Sequence, residues 1–358
     1  MRATWAGKPA GRLWLLSVGG CLLAFAALSA SASGRALINH ALHGARMTYI
    51  AAPRPGAPTV VMLANADGSA PRALGPASTA VLSPSGGEVA AVRPRSGAAA
   101  HGSVLVLYGV PKKTATVRIL RSSSSQLTIL AWSPDDRWIA AIDGDTLIAV
   151  PLHGKVKVIA SGTINGASFA PGAPDELVFA KAESVLASAP VNLYTVSLTG
   201  GRPVAITTDG LSEYPLWGPS GIVYSRELSH SSPTYQLWSV QPSGRGAKQL
   251  TNLTLTAPFY GLEPIAFSAS GKHLLANLVG DNATEAWTVD LTTTPAVAHE
   301  LGVPGTTTIG NAISRDGSEI LLTEGSGSPT DQWVATIPWA GDTETTLAAH
   351  SAFASWNR

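Results

Sequence analysis

From residue 46 onward, apolar positions fall in short runs separated by clusters of Gly, Pro, Ser and Asp. Short apolar runs bounded by turn residues predict β-strands, and no stretch of this part of the chain has helical periodicity. The clearest unit is residues 131–141, Ala-Trp-Ser-Pro-Asp-Asp-Arg-Trp-Ile-Ala-Ala. It reads as a strand ending in an aromatic, a tight Ser-Pro-Asp turn and a second strand. Pro presets φ for the second turn position, and Ser and Asp bond their own backbone there. Looser copies are anchored at Leu82, Phe169, Trp217, Phe267 and Ile313, and Trp356 begins a further one.

Successive anchors lie 50, 37, 48, 50, 46 and 43 residues apart. A repeat of that length with several short strands per unit is the signature of a β-propeller. Each unit holds an anchor strand (A), a strand B beyond the turn, a variable loop and a C–D hairpin. Strand B copies lie at 88–92, 138–142, 176–180, 221–224, 273–277 and 319–323; strand C copies include 193–196, 237–240, 286–289 and 332–335. Many are continuous apolar runs, as expected of strands covered on both faces. There are seven C–D hairpins, from 59–74 (around Asp67-Gly68) to 332–347, but only six complete A–B modules. Residues 351–356 would supply the missing A strand beside 46–51. The expected fold is therefore all-β: a seven-bladed β-propeller with four-stranded antiparallel blades, closed by pairing of the C-terminal strand with the N-terminal blade. Closure removes the open edges of a broken ring. The short third unit leaves six blades as the alternative count.

The anchors Trp132-Ser-Pro-Asp135 and Leu82-Ser-Pro-Ser85, with trailing Ile-Ala-Ala and Val-Ala-Ala, resemble the WD40-like (PD40) repeat of the TolB propeller family. The phrases Gly201-Arg-Pro-Val-Ala-Ile-Thr207 and Lys248-Gln-Leu-Thr251 fit its D strands. The resemblance covers residues 46–358. It implies an exported propeller that serves as a binding scaffold or is appended to a hydrolase domain. The chain departs from the pattern in that one copy alone keeps Ser-Pro-Asp and no partner domain adjoins the repeats.

Residues 1–32 have the features of an export signal. Arg2, Lys8 and Arg12 precede an apolar run from Leu13 to Leu28, and Ala30-Ser-Ala32 offers small residues for cleavage. Ser17, Gly19 and Gly20 interrupt that run, which favours a cleaved signal over a retained membrane anchor. Residues 33–45 read as a linker and 46–358 as the propeller. The expected location is extracytoplasmic (secreted, periplasmic or cell-surface), with membrane attachment only through residues 1–32 if these are retained. Cys21, the one cysteine, lies inside the signal, so disulfides and thiolate metal sites are not expected in the mature chain. The apolar residues after Cys21 argue against lipidation there. Lys+Arg 24 against Asp+Glu 23 provides no global field for nucleic acid.

No Gly-x-Ser-x-Gly elbow, His-Glu-x-x-His, Cys-x-x-Cys or P-loop occurs, and the eight His are scattered. No catalytic residue, cofactor or metal is expected. Asp143-Gly-Asp145 falls short of a Ca²⁺ loop and reads as a hairpin turn. The tryptophans recur at fixed repeat positions, which points to packing between blades rather than a stacking platform.

Because strands in a blade alternate in direction, the A–B and C–D turns share one end of the ring. The B–C loops and D–A crossings share the other. The second end is expected to carry the long loops 93–103, 181–192, 227–235, 280–284 and 325–331, and the crossings with Glu213, Tyr214 and Glu263. Binding residues favour loops on a rigid scaffold, so Glu213, Tyr214 and Glu263 are the candidate binding residues. The expected function is non-catalytic binding, by a monomer, of a protein, peptide or cell-envelope polymer. The alternatives are a glycan hydrolase or lyase with carboxylates at the channel mouth, and a membrane-tethered sensor or assembly subunit.

Overall fold

A computed structural model describes residues 44–52, 54–95, 101–110, 116–184, 186, 189–229, 232–302, 307–325, 327–341 and 343–357. The signal, the linker up to residue 43 and Cys21 lie outside the described residues. Among the described residues the only helical element is a single 3-10 turn, Pro329–Asp331. Among these residues no helix is long and apolar enough to cross a membrane.

The strands form five four-stranded antiparallel sheets and one eight-stranded path. That path splits into two antiparallel groups of four, joined by a single parallel pair, Tyr235 with Gly261. Within each sheet the order follows the chain, with one exception: the C-terminal strand Ser351–Trp356 pairs with Arg46–Ala51, and Val60–Asn65 and Arg72–Pro76 follow outward.

The recurrent turn has a specific chemistry. Ser133 N–H donates to the carbonyl of Trp138 at 2.8 Å, and Trp138 N–H donates to Ser133 Oγ at 2.9 Å. Ser133 Oγ in turn donates to Asp135 at 2.7 Å. Ser314, Glu319 and Asp316 repeat the arrangement with bonds of 2.7, 2.9 and 2.7 Å. In the looser copies Ser83 and Ser268 keep the first two bonds, and Ser85 and Ser270 replace the Asp. The serine thus satisfies a strand-B amide that the turn would otherwise leave unpaired, which is why the motif recurs.

Between consecutive sheets lie separate apolar clusters. Leu82, Val89 and Tyr108 of the sheet beginning at Thr79–Leu82 meet Ile50 and Val61 of the first. Phe169, Leu177 and Phe179 meet Leu130, Ala140 and Leu147, and Phe179 stacks on Tyr194 at 5.5 Å. A further cluster brings Ala312, Leu321 and Val334 against Met47, Tyr49 and Trp356. Apolar faces buried on both sides, at roughly 25 cal/mol per Å², supply the cohesion. Trp132 lies inside one such cluster and donates Nε1–H to the Val81 carbonyl at 3.3 Å. Trp356 lies in another, so both rings serve packing.

Candidate binding site

The strands Ser212–Gly218 and Phe259–Phe267 begin two neighbouring four-stranded groups. Glu213 pairs with Ser225 and Glu263 with Asn277, so both carboxylates lie within strands rather than in crossings, Glu213 at the start of its strand and Glu263 at the middle of its own. The two groups are tied together by Ser225 Oγ, which donates to the Leu262 carbonyl at 2.7 Å. The chain enters Phe259–Phe267 beside Tyr235, at the parallel pair Tyr235–Gly261. A Cβ on Gly261 would stand 2.2 Å from the Tyr235 carbonyl oxygen, so this close approach requires glycine.

The sheet register shifts between Glu213 and Leu216, and Tyr214 in that bulge has φ +48°. Bulges re-aim side chains, and a bulky residue in the left-handed region is uncommon. At the same distance before its own anchor, the preceding sheet has Gly166 with φ +98°. A Cβ on Gly166 would lie 3.4 Å from Tyr214 Cα, so the two first strands meet here. The Tyr214 ring stands 6.5 Å from that of Tyr235, tilted by 40°. The Tyr235 hydroxyl donates to Glu263 Oε1 at 3.3 Å.

These four side chains form one electrostatic unit. Burial pushes the Glu263 carboxyl up to about 8; the Glu213 charge adds to the rise and the Tyr235 hydrogen bond opposes it. The protonated form of Glu263 is thereby favoured. Burial also holds the Tyr235 phenol well above its ordinary range, reinforced by Glu263, Tyr214 and Glu213. Glu263 is 6% exposed, whereas Glu213, Tyr214 and Tyr235 are half-buried, so the unit opens to solvent on one side.

The three residues singled out in the sequence are thus neighbours, and Tyr235 joins them. Tyr235 was not distinguishable from other loop residues, because its role arises from the parallel pair that brings it to Glu263. The long loops expected at 227–235 and 280–284 are not found. Strands Gly221–Ser229 and Ser232–Val240 stay paired as far as Ser229 with Ser232, and His273–Gly280 and Ala283–Asp290 are joined through Asp281 and Asn282 alone. Longer strands there carry the pairing that a loop would have left open, and they lend the site a rigid frame. Asp143 behaves as a structural residue, accepting from Arg121 Nη2 at 2.7 Å and from Ser123. Among the described residues no three His, Cys, Asp or Glu side chains converge to hold a metal ion. Glu213 and Glu263 alone fall short of the oxygen donors a hard cation needs.

No protein-family model and no curated protein matches the chain. Solved structures do. The β-propeller domain of the Trilobed protease from Pyrococcus furiosus superposes with TM-score 0.63 at 12% identity, covering 86% of this chain and 95% of that one. That domain is described as having an open velcro topology. Oligogalacturonate lyase in complex with manganese gives 0.55 at 15% identity, covering 86% of each chain. TolB from Acinetobacter baumannii gives 0.52 at 13% identity, covering 87% of this chain, which spans 66% of the length of that protein. At such identities the likeness concerns the fold: the chain has a β-propeller fold similar to that of TolB.

Proposed function

We propose that this chain is an exported, non-catalytic propeller that captures a protein, peptide or cell-envelope polymer on the end of the ring carrying Glu213, Tyr214 and Glu263. In this reading the sheets form seven blades, and the pairing of Ser351–Trp356 with Arg46–Ala51 completes the first. Export rests on the signal-like residues 1–32. The observation that carries the binding reading is the convergence of two carboxylates and two tyrosines on one rigid, solvent-open spot, with Tyr214 held in the left-handed region. Strained residues of this kind cluster at functional sites. Affinity capture from an envelope extract tests it: a specific partner should be recovered by the native chain and lost with Glu213→Ala plus Tyr214→Ala. Equal recovery by both would refute this face.

A second reading is favoured by the Glu263–Glu213 pair, in which one carboxyl is held protonated near neutral pH beside another. Such a split suits acid–base chemistry on a glycan. Turnover of a glycan panel that is lost in Glu213→Gln and Glu263→Gln would establish it, and the absence of any variant-sensitive turnover would end it.

A further inference from the structure

The last strand of each group of four is an open sheet edge among the described residues. Most of these edges are short: Arg72–Pro76, Lys157–Ser161, Val204–Ala205, Lys248–Gln249, Val297–Glu300 and Thr345–Ala349 run two to five residues. Short edge strands limit pairing with other chains. Val117–Ser123 is longer, with seven residues at the edge of the sheet that begins at Thr79–Leu82. Val117 pairs with Tyr108, Arg118 with Leu107 and Ile119 with Val106 before the register shifts. Gly109 N–H donates to the Thr116 carbonyl at 2.9 Å, which makes residues 109 and 116 a hydrogen-bonded pair. Such pairs alternate along an antiparallel ladder, so Arg118 turns its backbone groups toward the sheet, and Val117 and Ile119 turn theirs outward. The same two residues leave their side chains 50% and 56% exposed. Tyr108 and Val106, opposite Val117 and Ile119, belong to the cluster shared with the first sheet, whereas Leu107, opposite Arg118, belongs to the cluster shared with the following one. Arg118 therefore stands on the other face from the two apolar residues. It is exposed, its Nη1 donates to the Leu152 carbonyl at 2.7 Å and lies 3.4 Å from His153 Nδ1, and it enters no ion pair among the described residues. Glu88 senses its charge without bonding to it.

We propose that the edge at Val117, Arg118 and Ile119 takes an extended segment of a protein partner as an added antiparallel strand, and that this segment carries an acidic residue between two apolar ones. Strand addition draws affinity from main-chain bonds and specificity from the side chains that alternate along the edge. Val117 and Ile119 offer the outward N–H and C=O groups and a matching apolar surface on one face. Arg118 meets the acidic residue on the other face through a charge-assisted bond. A second copy of this chain is the poorer occupant. An antiparallel self-pairing that engages both Val117 and Ile119 sets Arg118 directly opposite Arg118, and like charges directly opposite destabilise a strand pair. The edge belongs to a different sheet from Glu213 and Glu263, so the inference does not rest on the binding reading above.

The test is fluorescence anisotropy of a labelled peptide, Thr-Val-Glu-Val-Thr-amide, titrated with the full chain. The comparisons are the same peptide with Lys in place of Glu, and the Glu peptide with both valines N-methylated, which removes the donors that face the edge. The Glu peptide should bind about tenfold more tightly than the Lys peptide, the combined effect of an attractive and a repulsive cross-strand charge pair. N-methylation should abolish binding. Ile119→Pro removes one outward N–H from an edge strand, a place where proline is tolerated, and should abolish binding too. Arg118→Glu should transfer the preference to the Lys peptide, with thermal melting confirming the fold, and it decides the matter if Ile119→Pro does not fold. Failure of either peptide to bind, equal binding of both, or undiminished binding of the N-methylated peptide would overturn the proposal. A dimer in sedimentation that Ile119→Pro dissolves would give the edge to a second copy and overturn it as well.

Discussion

The backbone N–H of Arg46 donates to Oδ1 of Asn357 at 2.8 Å, across 311 residues of sequence. Asn357 N–H returns a bond to the Arg46 carbonyl at 3.1 Å. This is the pair of bonds that Ser133 makes with Trp138, and Ser314 with Glu319, within one continuous chain. Asn357 follows its anchor Trp356 as Ser133 follows Trp132, so the two ends of the chain reproduce in two pieces the turn that the other units make in one. Asn357→Ala should therefore lower the unfolding free energy by about 1–2 kcal/mol, the loss of a bond to a part-buried amide. Urea denaturation checks this; an unchanged midpoint would show that the ends contribute no such joint.

Asp136 has φ +60° and accepts from Ser85 N–H of the preceding sheet at 3.3 Å. Burial raises its pKa from 3.8 to about 6; bonds to Ser85 oppose the rise and the charges of Glu88 and Asp135 add to it. The folded state therefore holds this proton more tightly, and its stabilising effect, complete below 3.8, is lost as pH rises to about 6. Asn tolerates the left-handed conformation and carries no charge. Asp136→Asn should raise stability at pH 7 by on the order of 1–2 kcal/mol and lose that advantage at pH 4. Melting curves at the two pH values decide it.

Glu263 makes a steeper case. Between its unperturbed 4.5 and about 8 only the folded protein retains the proton. Its contribution should decline across that window by up to about 1.4 kcal/mol per pH unit and level off above it. Glu263→Gln, neutral throughout, should be flat. The difference between variant and native midpoints should widen toward pH 8 and then hold constant; a constant difference from pH 5 upward would show that Glu263 is ionised in the fold.

Tyr214 occupies backbone that Gly166 occupies in the preceding sheet. A non-glycine residue in the left-handed region costs roughly 1–2 kcal/mol. Tyr214→Gly should thus relieve strain as it removes ring contacts, leaving thermal stability within about 1 kcal/mol of native while partner capture is lost. A large destabilisation would make Tyr214 a packing residue.

Gly261→Ala should do the opposite. Its Cβ would meet the Tyr235 carbonyl oxygen at 2.2 Å, a backbone atom with little room to yield. Overpacking of this kind typically destabilises by about 1–3 kcal/mol. The displacement of Tyr235 should be visible as a lowered phenol pKa in an ultraviolet titration.

The turn residues and the repeat interval fixed the strands and their grouping, because Pro, Gly, Ser and Asp act on the backbone within a few residues. Trp132-Ser-Pro-Asp135 could be read as a strand–turn–strand without knowing what lay beside it, and the apolar strand runs showed that both faces are covered. The position of Glu213 and Glu263, each four residues before its anchor, likewise marked them as equivalent points of neighbouring repeats. Tertiary structure decided what those residues meet. The union of Tyr235 with Glu263, the raised carboxyl and the orientation of Tyr214 depend on one strand crossing beside another at Gly261, and the extension of strands through 227–229 and 232–235 depends on partners across the sheet. Such contacts join segments tens of residues apart, and burial, which sets the charge state of Glu263, is a property of the packed neighbours rather than of any local stretch of chain.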